Sequence, residues 1–457
     1  MAKFVIRTLL ALVVLAGWPS NLPAQAQNQT PESLATAAVN ELAARQFSKV
    51  VARFDDRMQS AMPQEKLSAV WDTVLDNAGS FQRITGTRVV EQQGYQVVFV
   101  ACQFKYAALD VKMAFDSRNR IAGLFFVPHT DAPEPAHSWS APDYADVKAF
   151  HETELTVANG SWKLPATLTL PNAKGPFPAV VLVHGSGPED QDESIGPNKP
   201  FRDLAWGLAG QGVAVLRYVK RTRQYGPQSV QPGAAFTTKD ETTDDAQAAV
   251  ALLGTRPDID HSHIFLLGHS EGGTLAPRIA AADSHVAGII IAAGAVRPLE
   301  DLVIAQLKYI AGLPGASREE LKKQIAQAEA AKAQIESPSL KSDATVNLLG
   351  SSIPGSYFLD LRNYRPAEAA AQLHIPILVL QGGRDYQVTR EDYDLWKAAL
   401  VQDPRASFRF YPDLTHLFMK VQGSGPPSPA DYSVAGHVSR TVIDDIAQWV
   451  KSNSAGR

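Results

Sequence analysis

Four apolar residues, Ile264-Phe265-Leu266-Leu267, run straight into Gly268-His269-Ser270-Glu271-Gly272-Gly273, and a helix-forming segment opens at Thr274. A short, unbroken apolar run bounded by a turn reads as a strand buried on both faces. The turn holds a serine with glycine two residues to either side, the spacing G-x-S-x-G. A serine hydroxyl is a weak nucleophile unless it is held exposed beside a base. A tight strand-to-helix turn does this, and Gly268 and Gly272 remove the side chains that would clash there. The N-terminus of the following helix also favours developing negative charge. Ser270 is therefore the candidate nucleophile.

Working outward, similar apolar runs recur at Ala179–Val183, Val213–Leu216, Gly288–Ala292, Ile377–Leu380 and Phe408–Tyr411, and helical patterns alternate with them at Phe201–Ala209, Thr243–Leu253 and Thr274–Ala282. This alternation predicts an α/β domain, a mostly parallel sheet flanked by helices. Three further strand ends carry chemistry. Ala179–Val183 leads into His184-Gly185-Ser186-Gly187-Pro188, a loop suited to an oxyanion hole: one backbone N–H donor would be Ser186, preferred over Gly187, and the other Glu271. Pro376–Leu380 leads into Gln381-Gly382-Gly383-Arg384-Asp385, and Phe408–Tyr411 into Pro412-Asp413-Leu414-Thr415-His416. In the chain order Ser, Asp, His, the expected base is His416, oriented by Asp385. His437 sits in a polar lead-in to the last helix and is the lesser candidate.

Between about residues 294 and 367 the alternation stops; the pattern is helical, with no strand expected, and so long a connection reads as a lid. Ser317-Arg318-Glu319-Glu320 has the form of a capping box for its main helix. Tyr357 and Phe358 are candidate walls of an acyl pocket. Glu319, Glu320, Glu329 and Glu336 are the carboxylates that could anchor a peptide amine, although their spacing suits a solvated face. His261 and His263 read as structural, and Asp244 and Asp245 as helix caps. Lys220-Arg221-Thr222-Arg223 reads as a solvated face or as ion pairs with nearby carboxylates rather than as an anion site.

The chain has 457 residues, 45% hydrophobic and 20% charged, so it is long enough for more than one domain and has the balance of a globular protein. Lys plus Arg number 43 and Asp plus Glu 47, so no basic excess favours nucleic acid. The single cysteine, Cys102, excludes an internal disulfide framework and reads as a buried hydrophobe. Lys3 and Arg7, the apolar stretch Thr8–Gly17 and Ala24-Gln25-Ala26 have the form of a signal peptide over residues 1–26, predicting export to the periplasm or beyond without stable membrane insertion. Residues 27–128 pass from helical spacing to alternating strands such as Val97–Val100, Val111–Phe115 and Ile121–Val127, a small α+β domain. A Pro-rich linker is expected at 129–147, and the catalytic domain at 148–457.

Together the Ser270 turn, the His184-Gly185-Ser186-Gly187 loop and the later Asp385 and His416 resemble the α/β-hydrolase superfamily over about Lys148–Lys451. Gly196-Pro197-Asn198-Lys199-Pro200-Phe201, with Asp203-Leu204-Ala205 and Arg217-Tyr218 before Lys220-Arg221, is similar to a branch of exported bacterial carboxylesterases, the EstD-like group. Its members carry an N-terminal domain of unknown function. The resemblance implies Ser270, Asp385 and His416 as a triad, small-molecule esters of short or medium acyl chains as substrates, and no cofactor or metal. Val219 stands where relatives often place an acidic residue before the Lys-Arg pair. An aminopeptidase or other amide hydrolase on the same triad is the alternative.

Overall fold

The computed structural model describes residues 30–455 apart from 93–94, 130–138, 231–234, 315, 349–350 and 422–424; the expected leader, residues 1–26, lies outside them. The chain divides into two compact units, residues 1–136 and 137–457.

In the first unit, helices Pro31–Ala43, Phe47–Val51, Asp56–Ala61 and Gln64–Ala78 precede four strands: β1 (Phe81–Gln92), β2 (Tyr95–Phe104), β3 (Ala108–Phe115) and β4 (Ile121–Pro128). The strands pair in sequence order as an antiparallel meander. Alternate residues Val98, Val100, Cys102 and Phe104 of β2 pack with Leu42, Trp71 and Phe115 in one core. Cys102 is 1% exposed, and burial followed by nearby Asp110 pushes its thiol up to about 12, so it behaves as a small hydrophobe.

The second unit is built on an eight-stranded sheet. Its strands are β5 (Phe150–Asn159), β6 (Trp162–Pro171), β7 (Phe177–Val183), β8 (Ala214–Tyr218), β9 (Ile259–His269) and β10 (Val286–Ala292), then β13 (Ile377–Gly382) and β14 (Ala406–Tyr411) after the hairpin β11 (Thr345–Leu348) and β12 (Ser351–Pro354). The order is β14-β13-β10-β9-β7-β8-β6-β5. From β14 to β8 all neighbours are parallel, while β6 pairs antiparallel with β8 and β5 with β6. The period of two along each central strand divides the core. Val181, Leu266, Ile289, Ile291 and Val379 face helices Asp244–Leu253, Glu271–Ala282 and Arg390–Leu400. Val180, Leu182, Phe265, Leu267, Ile290 and Leu378 face helices Pro200–Ala209 and Arg440–Ser454. Complete burial of each such side chain contributes about 1.5–3 kcal/mol before chain entropy is subtracted.

Several sequence expectations change here. β5 and β6 are not among the expected strands, because β5 lies at the sheet edge and carries polar residues such as Glu152 and Glu154 on its exposed side. From Trp139 the expected linker packs on the second unit instead of running free: the Trp139 indole N–H donates to Asp203 (2.9 Å) and the Tyr144 hydroxyl to Val438 O (2.8 Å). The lid does contain strands, since β11 and β12 form an antiparallel hairpin. With helices Leu299–Ala311 and Arg318–Glu336 it has a core of its own, including Val303, Leu307, Ala328, Val346 and Phe358. Ser317 occupies the N-cap position of Arg318–Glu336, but its side chain makes no capping bond. Asp244 and Asp245 do not cap a helix either. The backbone already turns as a π-helix over Lys239–Thr243, and Asp245 is buried against Arg221. Among the described residues no helix is long and apolar enough to cross a membrane.

Candidate active site

Ser270 follows the last residue of β9 and precedes helix Glu271–Ala282. Its φ of 52° and ψ of −115° lie where side chains are rarely found, a conformation costing on the order of 1–3 kcal/mol. The close approach around it demands glycine: a Cβ on Gly272 would stand 2.3 Å from Val183 O. The Ser270 amide is tied to Ala292 O (2.9 Å), while its hydroxyl makes no hydrogen bond to another described residue.

Asp385 and His416 meet as expected. The His416 Nδ1–H donates to Asp385 Oδ2 at 2.6 Å, and the carboxylate also accepts from the backbone N–H groups of Gln387 (2.8 Å) and Val388 (2.9 Å) and from the Gln381 amide (3.2 Å). With Nδ1 engaged, the imidazole keeps Nε2 as its free acceptor. The two loops run so close that a Cβ on Gly382 would stand 2.5 Å from both Leu414 O and Thr415 O. The Ser270 turn is brought to this pair through its neighbour: the His269 Nε2–H donates to His416 O at 3.0 Å, and the two rings lie 4.6 Å apart.

Ser186 and Glu271 sit at adjoining strand ends, and neither backbone N–H has a protein acceptor among the described residues. Both border a cavity of about 540 Å³ that Ser270 also lines. Its far wall comes from the lid and includes Leu299, Leu302, Val303, Ile335 and Phe358. Of the two residues suggested as pocket walls, Phe358 is one; Tyr357 instead donates its hydroxyl to Glu271 Oε1 (2.6 Å).

The remaining sequence candidates fall into structural roles. His437 pairs with buried Asp203 at 3.1 Å. His263 lies 2.7 Å from Asp260, and His261 Nε2–H donates to Arg256 O at 2.7 Å. Lys220 and Arg221 are neither a solvated face nor an anion site. They are 1% and 4% exposed and paired, Lys220 with Glu241 and Glu271, Arg221 with Asp245. Among the lid carboxylates, Glu319 is exposed, Glu329 pairs with Lys308 (2.9 Å), and Glu336 lies 3.5 Å from Lys332 at the cavity edge beside Glu300.

Sequence reasoning missed a buried pair behind the site. Glu193 Oε2 lies 2.9 Å from His269 Nδ1, and Glu193 Oε1 accepts from the Gly185 amide at 2.6 Å. Burial opposes charge on both groups, but each holds the other: His269 is raised above its ordinary value and the Glu193 carboxyl lowered. Glu193 lies in a loop with no periodic pattern, so only its contact with His269 marks it. Nearby Glu189 is pushed up to about 7 by burial and by the charge of Glu193.

A family model described as "Serine aminopeptidase, S33" matches residues 176–420, and one described as a protein of unknown function (DUF3887) matches 35–124. The chain is 36% identical over 412 residues to esterase EstD of Thermotoga maritima, covering 90% of this chain and 93% of that protein. Among solved structures, Est1E from Butyrivibrio proteoclasticus is 17% identical, with a TM-score of 0.43 over 66% of this chain and 99% of its own. The 2,6-dihydroxy-pseudo-oxynicotine hydrolase is also 17% identical, with a TM-score of 0.41 over 67% and 68%. The chain thus belongs to the α/β-hydrolase superfamily, in the family of bacterial EstD-like serine carboxylesterases that carry a domain of unknown function ahead of the hydrolase.

Proposed function

We propose that the protein is a serine ester hydrolase working through an acyl-enzyme, with Ser270 as nucleophile, His416 as general base and acid, and Asp385 holding the base. The observation that carries this reading is the strained, partly exposed Ser270 at a helix N-terminus beside a buried Asp385–His416 pair. In the first half-reaction Ser270 Oγ attacks the ester carbonyl carbon while His416 Nε2 takes its proton. This transfer requires an Oγ–Nε2 hydrogen bond that forms in the complex with substrate. The carbonyl oxygen becomes an oxyanion facing the N–H groups of Ser186 and Glu271. Collapse of this intermediate breaks the bond to the alkoxy oxygen, which leaves as the alcohol with the proton from His416. Water, deprotonated by His416, then attacks the acyl carbon, and the proton returns to Ser270 as the acid departs.

The cavity between Ser270 and the lid supports acyl chains of short to medium length, because its volume is within the usual range for small-molecule sites and its lid wall is mainly apolar. The expected leader supports export, and the full precursor should mature to a chain beginning at Gln27, which N-terminal sequencing of extracytoplasmic protein checks.

The test is turnover of p-nitrophenyl esters of increasing acyl length beside aminoacyl p-nitroanilides, with Ser270→Ala as control. Ester hydrolysis lost by at least about 10³-fold in the variant, with anilides left intact, is the expected result. Ser270-dependent anilide cleavage would move the protein to the amide hydrolases, and ester turnover indifferent to Ser270 would remove the mechanism.

A further inference from the structure

The residue after the nucleophile is a glutamate, and its backbone and side chain point to different tasks. The backbone N–H is free for the oxyanion, while the carboxylate enters a cluster that the reaction does not use directly. Lys220, after the end of β8, is 1% exposed, and its three ammonium hydrogens have three acceptors. These are Glu241 Oε1 at 2.8 Å, Glu271 Oε2 at 3.2 Å and the carbonyl oxygen of Gly185 at 2.8 Å. Glu241 reaches the cluster from the π-helix Lys239–Thr243, and Tyr357 braces Glu271 from the lid side.

The third acceptor gives the cluster its meaning. Gly185 C=O and Ser186 N–H belong to one planar trans peptide and point in opposite directions. A donor that grips the carbonyl from behind therefore fixes where the N–H aims. Glu193 holds the preceding peptide through the Gly185 amide at 2.6 Å, so the glycine is restrained on both sides. An unrestrained glycine at this place could rotate the peptide and turn the Ser186 N–H away. A buried ammonium beside two carboxylates is a costly way to fill space, since each ion gives up its hydration.

We infer that Lys220 is a positioning residue of the oxyanion hole: by holding Gly185 O while anchored to Glu241 and Glu271, it aims the Ser186 N–H at the reacting carbonyl oxygen. This inference rests on the serine-hydrolase reading above. It predicts that Lys220 acts on the transition state and little on substrate binding, because the oxyanion exists only after attack.

Lys220→Met tests it, assayed with an ester and with the matching thionoester, in which sulfur replaces the carbonyl oxygen and gains less from N–H donors. The expected result is a kcat for the ester lower by roughly 10²-fold with KM within about twofold. The ratio of ester to thionoester kcat/KM should fall at least about tenfold, because the thionoester depends less on the hole. If Lys220→Met does not fold, Lys220→Met/Glu241→Gln keeps the net charge of the cluster and is read in its place. An unchanged ester kcat in a folded variant, or equal losses for ester and thionoester, overturns the inference and leaves Lys220 a purely structural ion. Ser270→Ala separates the two levels: ester turnover surviving in that variant defeats the serine reading itself. Turnover that needs Ser270 but ignores Lys220 defeats only the positioning role.

Discussion

At Ser270 the backbone has φ 52°, and two residues on, at Gly272, the packing leaves no room for a side chain. A methyl group on Gly272 would press on two backbone carbonyls, Val183 O at 2.3 Å and His184 O at 2.7 Å, neither of which is a flexible side-chain end. Gly272→Ala should therefore destabilise the protein by about 1–3 kcal/mol or more and abolish turnover, measured by urea unfolding and ester assay. Glu189 makes a second prediction at this scale. Its folded value of about 7 lies above the ordinary 4.5, so between these two pH values the unfolded chain releases a proton that the folded protein retains. Stability due to this group is undiminished below pH 4.5 and declines as pH rises to about 7. Glu189→Gln should remove that decline, so that its melting temperature gains on the parent's across this window. Parallel melting curves for the two proteins would count against the assignment. The G-x-S-x-G turn, Asp385 and His416 were legible as residues because each follows a short apolar run that ends in a loop. For Lys220 ion pairing was one of two sequence readings, but its partners and burial were not legible, nor was Glu193, because a buried ion pair has no period and its partners are distant in sequence.

Among the elements, the parallel strands announced themselves as unbroken apolar runs, since helices cover both of their faces. The edge strand β5 and the lid hairpin β11–β12 did not: β5 mixes polar with apolar residues, and four-residue strands are too short to show a period. The lid stands as an element with its own core, and Phe358 serves both that core and the cavity wall. Phe358→Ala should loosen the lid core, where such a truncation costs about 3–5 kcal/mol, and enlarge the cavity. The expected readout is a shift in kcat/KM towards longer acyl chains in the p-nitrophenyl ester series. An unchanged acyl profile would show that this wall does not meet the acyl group.

For the molecule as a whole, the division into two units separates the proposed chemistry from the domain of unknown function. Residues 137–457 contain both core clusters of the large sheet and every residue of the proposed mechanism. A protein comprising only these residues should fold and keep kcat/KM for a small ester within about threefold of the full chain. A much larger loss would assign residues 1–136 a part in turnover, and an unfolded product a part in folding.

Strand-end position and chain order were enough for the sequence by itself to determine an α/β domain with Ser270, Asp385 and His416 as candidate catalytic residues, because buried parallel strands and their loops are written in local runs of residues. Tertiary structure alone decided which charges are buried together, that Tyr357 turns to Glu271 while Phe358 faces the cavity, and that Lys220 grips the Gly185 carbonyl. Those facts depend on which distant segments approach within hydrogen-bond range, and no local pattern in the chain encodes that distance.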